Sequence, residues 1–419
     1  MPCPNNPAPA YGGFAPPKVF YDPSTPNNVS AANPSFPTPK QGQCFSNCPL
    51  MAALDSIAWV NRKFIVNNIT GPDAGGNYTF TFWDYGQNNP MTGVLGMMST
   101  NSTNIGANVP LNGVLNPVLN NAAACTKAQV TVSGQVLLDG GGNFSDGNGI
   151  PYGAGSSIAN EMWPALFEKA YAKFCFYENN MPLLGGIYLN SVHGHDANGN
   201  PVNIINGPDP SYADLLMLGN GPAAPATNYW GGNAGIGLAY LTGRLCFQYS
   251  TTAAAYAVPA LSHLPAGAAG PSLYNFIRAG FCSAAQGNHK TRWPLVAWTY
   301  PAGDQFNNDS TRGIVAGHCY AILGTFDVSN GCTDGNSYIV LRTTYGLSDP
   351  QALAQTAPAG NGWQYNDEGF PFPGTAAAPA AGGALKNLNL TIATDAIFGL
   401  NAAVFSNYFQ SIAWAETYY

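Results

Sequence analysis

Charge is what this sequence has least of. Lys and Arg number 14 and Asp and Glu 21 in 419 residues, 8% of the chain, against about a quarter in an ordinary soluble domain. The net charge of −7 is small for this length, and no basic patch or polybasic run is present to meet nucleic acid or an anionic membrane. No apolar run reaches the roughly 18 residues of a membrane span. The N-terminal Met1-Pro-Cys-Pro-Asn-Asn-Pro7 has no basic residue before Lys18 and no apolar core, so no secretory leader is expected. The expected location is the cytoplasm, with a non-classical route outside the cell as the alternative. Nine cysteines, an odd number scattered from Cys3 to Cys332, do not make a disulfide framework, and no CxxC pair points to zinc.

What is abundant is glycine (49), proline (34) and apolar residues (46%), enough for a large core split into two or three units. Residues 1–40 hold eleven of the prolines and read as an extended arm that could drape over a neighbour. Phe64–Val66, Tyr78–Trp83 and Gln129–Ser133 are expected as strands, and residues 84–124 and 196–235 as loops. Trp163–Phe174 carries an apolar stripe from Trp163 to Phe174 with Lys169 and Lys173 off it, the pattern of a core-packing helix. Shorter helices are expected near Ile236–Leu245 and Ser272–Phe281, and a strand at Trp293–Tyr300. The Ala/Pro/Gly-rich stretch 251–270 reads as a hinge and 375–384 as a low-complexity loop. The C-terminal stretch from Thr391 begins like a strand and ends apolar-periodic. No internal repeat is evident.

One stretch carries chemistry. Gln41-Gly-Gln-Cys-Phe-Ser-Asn-Cys48-Pro runs from a polar loop into an apolar-periodic helix with Leu50, Met51, Leu54, Ile57 and Ala58 on one face. Asn47 is a good N-cap, and Pro49 in the first turn removes an N–H that had no partner. Cys48 therefore stands at the positive end of a helix, where a thiol ionises more readily. The plain alternative is a small buried apolar residue at a helix start. Cys44 is near enough to pair with Cys48 and silence it.

A thiolate needs an imidazole. His193-Gly-His195-Asp196 resembles a metal set only superficially, because no further ligands accompany it, and it reads as an exposed loop. His263 falls in the hinge and His289 in a polar loop. His318 opens the strand Cys319-Tyr-Ala-Ile-Leu-Gly-Thr325, the first arm of a hairpin whose second arm is Ser337–Arg342. If Phe326 pairs with Tyr338, the register sets Thr343 to Gly346 across from His318. A catalytic and a structural histidine both fit.

These residues carry a family resemblance. Gln41-Gly-x-x-x-x-Asn-Cys48-x-Leu-x-Ala-Ala-Leu54 resembles the glutamine-to-cysteine segment of calpain-type cysteine proteases. Asn160-Glu-Met-Trp-Pro-Ala-Leu-Phe-Glu-Lys-Ala-Tyr-Ala-Lys173 resembles a calpain core helix, and Ala239-Tyr-Leu-Thr-Gly243 a later helix-to-loop motif. Gly317-His-Cys-Tyr-Ala-Ile-Leu-Gly324 resembles the histidine strand and Ile339-Val-Leu-Arg-Thr-Thr-Tyr-Gly346 the asparagine strand. The matches keep the family's order from about residue 40 to the C-terminus.

The resemblance implies an α+β, papain-like core of two subdomains. Residues 41–258 would form the helical, nucleophile side and 265–419 the β-rich, histidine side, with the arm 1–40 outside. It implies Cys48 as nucleophile, His318 as acid and base, Gln41 as oxyanion donor and Thr343 at the position of the histidine-orienting asparagine. It also implies an endopeptidase acting on protein or peptide, with no nucleic acid and no membrane. Calcium is the one cofactor it brings with it, and acidic residues are too sparse to assign ligands.

Three positions depart from the pattern. Thr343 replaces asparagine; Pro49 and Tyr345 replace tryptophans; Gln41 lies seven residues before Cys48, one more than the family spacing. The alternative is accordingly a catalytically impaired relative serving as a structural or self-assembling subunit, such as an extracellular filament or surface protein.

Overall fold

A computed structural model describes residues 9–13, 39–84, 113–114, 126–146, 151–156, 161–220, 234–244, 246–251, 272–281, 290–300, 314–327, 337–344, 363–365, 371–373 and 397–416. In chain order its main elements begin with α1 (Cys48–Val60), α2 (Arg62–Asn67), β1 (Ile69–Thr70), β2 (Asn77–Asp84), β3 (Gly113–Val114) and β4 (Thr126–Ser133). There follow α3 (Trp163–Glu178), β5 (Asn190–His195), β6 (Pro201–Asn206), α4 (Tyr212–Asn220), α5 (Ala234–Thr242), β7 (Cys246–Ser250) and α6 (Leu273–Phe281). The last are β8 (Leu295–Thr299), β9 (Cys319–Asp327), β10 (Ser337–Thr343), β11 (Ile397–Asn401), α7 (Ala402–Tyr408) and β12 (Phe409–Ala415). The fold is mixed α+β.

Two sheets organise it. The first has the order β5-β6-β4-β2-β1, with the β6–β4 pair parallel and the rest antiparallel. Along β2 and β4 buried and half-buried residues alternate, the period-two pattern of a sheet with one face in the core. Phe80 and Phe82 meet Phe167 and Phe174 of α3, with ring centroids 4.8 and 5.1 Å apart for Phe80–Phe167 and Phe82–Phe174. Three turns of this region share one recipe: Asp73–Asn77, Asp139–Asn143 and Asp196–Asn200. In each the aspartate Oδ1 accepts the N–H groups two and four residues on, and a glycine three residues on has φ of +77 to +78°. The short motif Asp-x-x-Gly-Asn is a repeat that the sequence reading passes over.

The second sheet has the order β11-β10-β9-β8-β12-β7-β3, all antiparallel. Its two faces differ in side-chain size. Cys246, Val296, Cys319, Ala413 and Ala415 join the core that holds α1, α3, α5 and the first sheet. Phe247, Tyr249, Tyr320, Ile322 and Trp414 point into a second core with α6 and α7. The small residues on the first face let α1 lie close against the sheet. β7 and β3, which precede the expected hinge, complete this sheet, and most of the hinge itself (252–270) lies outside the described residues.

Several expectations change. Phe64–Val66 belongs to α2, not a strand; three apolar residues satisfy either period, and the helix is set by Asn68 N–H bonding back to Phe64 O and Ile65 O. The stretch expected as loop after residue 196 contains β6 and α4. Helix α1 is buried on every side, not on one face, because α5, α2 and the second sheet surround it. The arm is pinned at two described points: Ala10–Gly12 pairs with Val136–Leu138, and Pro39–Lys40 with Gly155–Ser156. Lys169 and Lys173, off the apolar stripe of α3, are themselves buried. Their ammonium groups donate to carbonyls of Ser133 (2.6 Å), Gln135 (2.8 Å), Thr131 (3.0 Å) and Gly207 (2.7 Å), beside Asp209. The low-complexity stretch 375–384 is outside the described residues.

Candidate active site

Cys48 is the first residue of α1. The residue before it does not cap the helix with its side chain. Asn47 instead donates through Nδ2 to the Glu168 carboxyl of α3, whose other oxygen accepts Ala154 N–H at 2.9 Å. Burial pushes Glu168 up to about 8 against the pull of these two bonds. The helix opens by backbone geometry alone, Met51 N–H donating to Asn47 O at 3.1 Å. Cys44 is disulfide-bonded and Cys48 is a free thiol, so the two do not pair with each other.

The loop in front of Cys48 is threaded through a tight backbone contact. A Cβ on Gly42 would sit 2.2 Å from Gly153 O and 2.6 Å from Tyr152 O. Gln43 and Cys44 N–H groups bond Pro151 O (3.0 Å) and Tyr152 O (3.2 Å). The chain turns at Gln43–Cys44, which takes up the extra residue between Gln41 and Cys48.

His318 is held from the other side. Gly317, with φ of +60°, turns the chain into it, a conformation that glycine adopts without strain. His318 N–H donates to Thr299 Oγ1 at 2.8 Å, and its carbonyl accepts Thr299 N–H at 3.0 Å. The hairpin register is the expected one: Phe326 pairs with Tyr338, and a bulge between Ile322 and Gly324 brings Tyr320 opposite Thr343.

Cys48 and His318 are thereby brought into hydrogen-bonding contact although 270 positions separate them in sequence. The thiol of Cys48 is held well below its ordinary range by a hydrogen bond from the Cys319 side chain first, which outweighs burial, with the charge of and hydrogen bond from His318 and the Cys319 N–H adding to it. Cys175 and Cys246, buried thiols elsewhere, are pushed up by desolvation. The depression therefore belongs to this position, not to buried cysteine in general.

The far edge of the imidazole meets two hydroxyls. Thr344 Oγ1 lies 3.1 Å from Nε2 and Thr343 Oγ1 3.5 Å. The position expected to orient the ring, Thr343, is thus the more distant of the two, because β10 ends at Thr343 and the next residue turns inward. Thr344 Oγ1 also donates to Gln41 Oε1 at 3.1 Å. A hydroxyl has one hydrogen, so Thr344 accepts from Nε2–H and leaves Nδ1 as the basic nitrogen. Gln41 is further fixed by its N–H to Thr344 O at 2.6 Å and by Nε2 donating to Phe45 O at 2.8 Å.

Gln41, Cys48, His318, Thr343 and Thr344 are all buried. Sequence reasoning missed Thr344 and Cys319. The register argument already bracketed Thr344, and Cys319 follows His318 directly. Tyr345 lies outside the described residues, as do His263 and His289. His193 and His195 lie on the strand β5, not in a loop. Among the described residues no group of three His, Cys, Asp or Glu could hold a metal ion, and no helix is long and apolar enough to cross a membrane. No protein-family model matches this chain, and no curated protein matches it significantly.

Proposed function

We propose that this protein is a cysteine endopeptidase of the calpain type on a papain-like core, cleaving peptide bonds in a protein or peptide substrate. One observation carries the reading: a thiol at a helix start hydrogen-bonds an imidazole whose Nε2 is tied through Thr344 to Gln41. In this reading the Cys48 thiolate attacks the carbonyl carbon and a C–S bond forms. The oxyanion is received by N–H groups of the first turn of α1 and by the second hydrogen of the Gln41 amide. His318 passes the proton from Nδ1 to the leaving amine as the C–N bond breaks, then takes a proton from the water that releases the acyl group. Calcium, which the family resemblance brings with it, finds no acidic cluster among the described residues, and no step is routed through it.

The test is labelling by a thiol-directed epoxide. One equivalent of label on the wild-type chain and none on Cys48→Ala is the expected result; a wild-type chain that takes no label at any calcium concentration sinks the proposal. The two threonines separate as well. Thr344→Val loses the Nε2 acceptor and is expected to lower kcat about 10–100-fold, the usual effect of removing a group that orients a reactive ligand, while Thr343→Val changes it little. Equal losses would show that the ring is oriented otherwise.

A second reading, an impaired structural or self-assembling subunit, is favoured by Leu184, Ile187, Tyr188 and Val192, large apolar residues exposed within residues 184–192 beside the outer strand of the first sheet. Filaments or particles by negative-stain microscopy, in a chain that takes no epoxide label, would support it.

A further inference from the structure

Glu168 is the buried acid that the cysteine and histidine chemistry leaves without a part. It is 2% exposed, and Asn47 beside it is fully buried. A buried carboxyl must be hydrogen-bonded, and both bonds of this one lead to the stretch in front of the nucleophile. One oxygen accepts from Asn47 Nδ2, next to Cys48; the other accepts Ala154 N–H at 2.9 Å. Ala154 continues the segment whose Pro151 and Tyr152 carbonyls accept Gln43 and Cys44 N–H at 3.0 and 3.2 Å. That segment has no slack. A Cβ on Gly42 would meet Gly153 O at 2.2 Å, and a Cβ on Gly153 would meet Glu168 Oε2 at 2.6 Å. Glu168, residues 151–154 and residues 42–47 therefore close a ring of contacts, from which Gln41 and Cys48 emerge at the two ends.

We propose that Glu168 is the positioning residue of the oxyanion site, its carboxyl holding both ends of the 41–48 loop and so fixing the Gln41 amide against the Cys48 N–H. The chemical consequence rests on the endopeptidase reading; the positioning itself does not. The peptide bond between Asn47 and Cys48 is planar. Its oxygen is held by Met51 N–H at 3.1 Å and its Asn47 side chain by Glu168, so the direction of the Cys48 N–H is set. At the other end Gln41 follows the backbone that the 151–154 segment grips. Donors stabilise an oxyanion only when aimed at the place where its charge develops. Alkylation of the thiol forms no oxyanion on a carbonyl, so it is indifferent to that aim. A loss of hydrolysis without a loss of alkylation is therefore the signature of this role.

The experiment compares Glu168→Leu, Glu168→Asp and Glu168→Gln in the full chain by peptide hydrolysis, iodoacetamide alkylation of Cys48, and amide hydrogen exchange over residues 41–48. Glu168→Leu is expected to lower kcat about 100-fold, the scale of a small misplacement at a reacting centre, with KM and alkylation near wild type and exchange over 41–48 faster. Glu168→Asp, one methylene shorter, reaches at most one of the two partners; it shows the same pattern and carries the comparison if the leucine variant does not fold. Glu168→Gln stays near wild type. Its oxygen accepts Ala154 N–H, and with the Asn47 amide turned over its nitrogen donates to Asn47 Oδ1, an oxygen that is buried without a hydrogen-bond partner. Unchanged kcat in a folded leucine or aspartate variant, or kcat and alkylation falling by the same factor, overturns the proposal. Unchanged exchange over 41–48 in an active peptidase removes the positioning role alone. Faster exchange in variants of a chain that takes no epoxide label removes the endopeptidase alone.

Discussion

Replacing His318 with alanine is expected to lower kcat/KM for peptide hydrolysis by about 10²–10⁴-fold, the usual contribution of a positioned acid–base group. The same change alters the chemistry of the thiol in a way that needs no substrate. In the wild type the Cys48 pKa is lowered, so its thiolate persists to lower pH than that of an ordinary thiol and is lost as the pH falls through that lowered value. Alkylation by iodoacetamide should persist to lower pH than that of an ordinary thiol, with its decline on the acid side. Removing the imidazole takes away two of the causes of the depression and leaves the Cys319 hydrogen bonds, which lower the pKa, against burial, which raises it. The acid limb then moves up toward the free-thiol range, so alkylation on the acid side falls relative to the wild type. An alkylation profile that does not move in His318→Ala would mean that the ring does not share a proton with Cys48, whatever the peptidase rate does.

The hairpin that carries His318 was readable because its information is local. Phe326 and Tyr338 bracket a single loop, and one register assignment brings residues 343–346 to the imidazole. What could not be read is the bulge between Ile322 and Gly324 and the end of β10, which together give Thr344 the shorter approach. Helix α3 was legible from its stripe, which set Lys169 and Lys173 off it without saying what they meet. A stripe shows which residues must be buried, and nothing in it reveals carbonyls from β4 and the residue 207 turn converging on the opposite face. β12 was obscured for a related reason. All seven of its residues are buried, so the alternation that marks a half-exposed strand is absent. Cys319 was in plain view beside His318, but a cysteine in a strand reads as a small apolar residue until a helix tip is set against it.

The strongest tie between the two halves of the site is one that neither motif contains. Asp55 of α1 and Arg342 of β10 form a fully buried ion pair, and Arg342 also donates to Pro39 O at 2.7 Å. One guanidinium thus joins the nucleophile helix, the strand leading to Thr344 and the residue two positions before Gln41. Trp59 Nε1 bonds Leu323 O at 2.7 Å one turn further along the same helix. Burial pushes Asp55 up to about 7, with Arg342 pulling the other way, so the carboxylate depends on its partner. Asp55→Ala leaves a guanidinium buried without its counter-ion and is expected to cost about 3–5 kcal/mol, the usual consequence of breaking such a pair from one side. The midpoint of urea unfolding reads it directly. The double variant Asp55→Leu with Arg342→Met should recover most of that stability, since apolar residues of similar volume replace a buried pair at little net cost. Its epoxide labelling should nonetheless fall, because the bond to Pro39 O that holds the strand before Gln41 is gone. Stability and labelling that recover together in the double variant would show that the ion pair only supports the fold. Recovery of stability alone would show that it sets the distance between Gln41, Cys48 and Thr344.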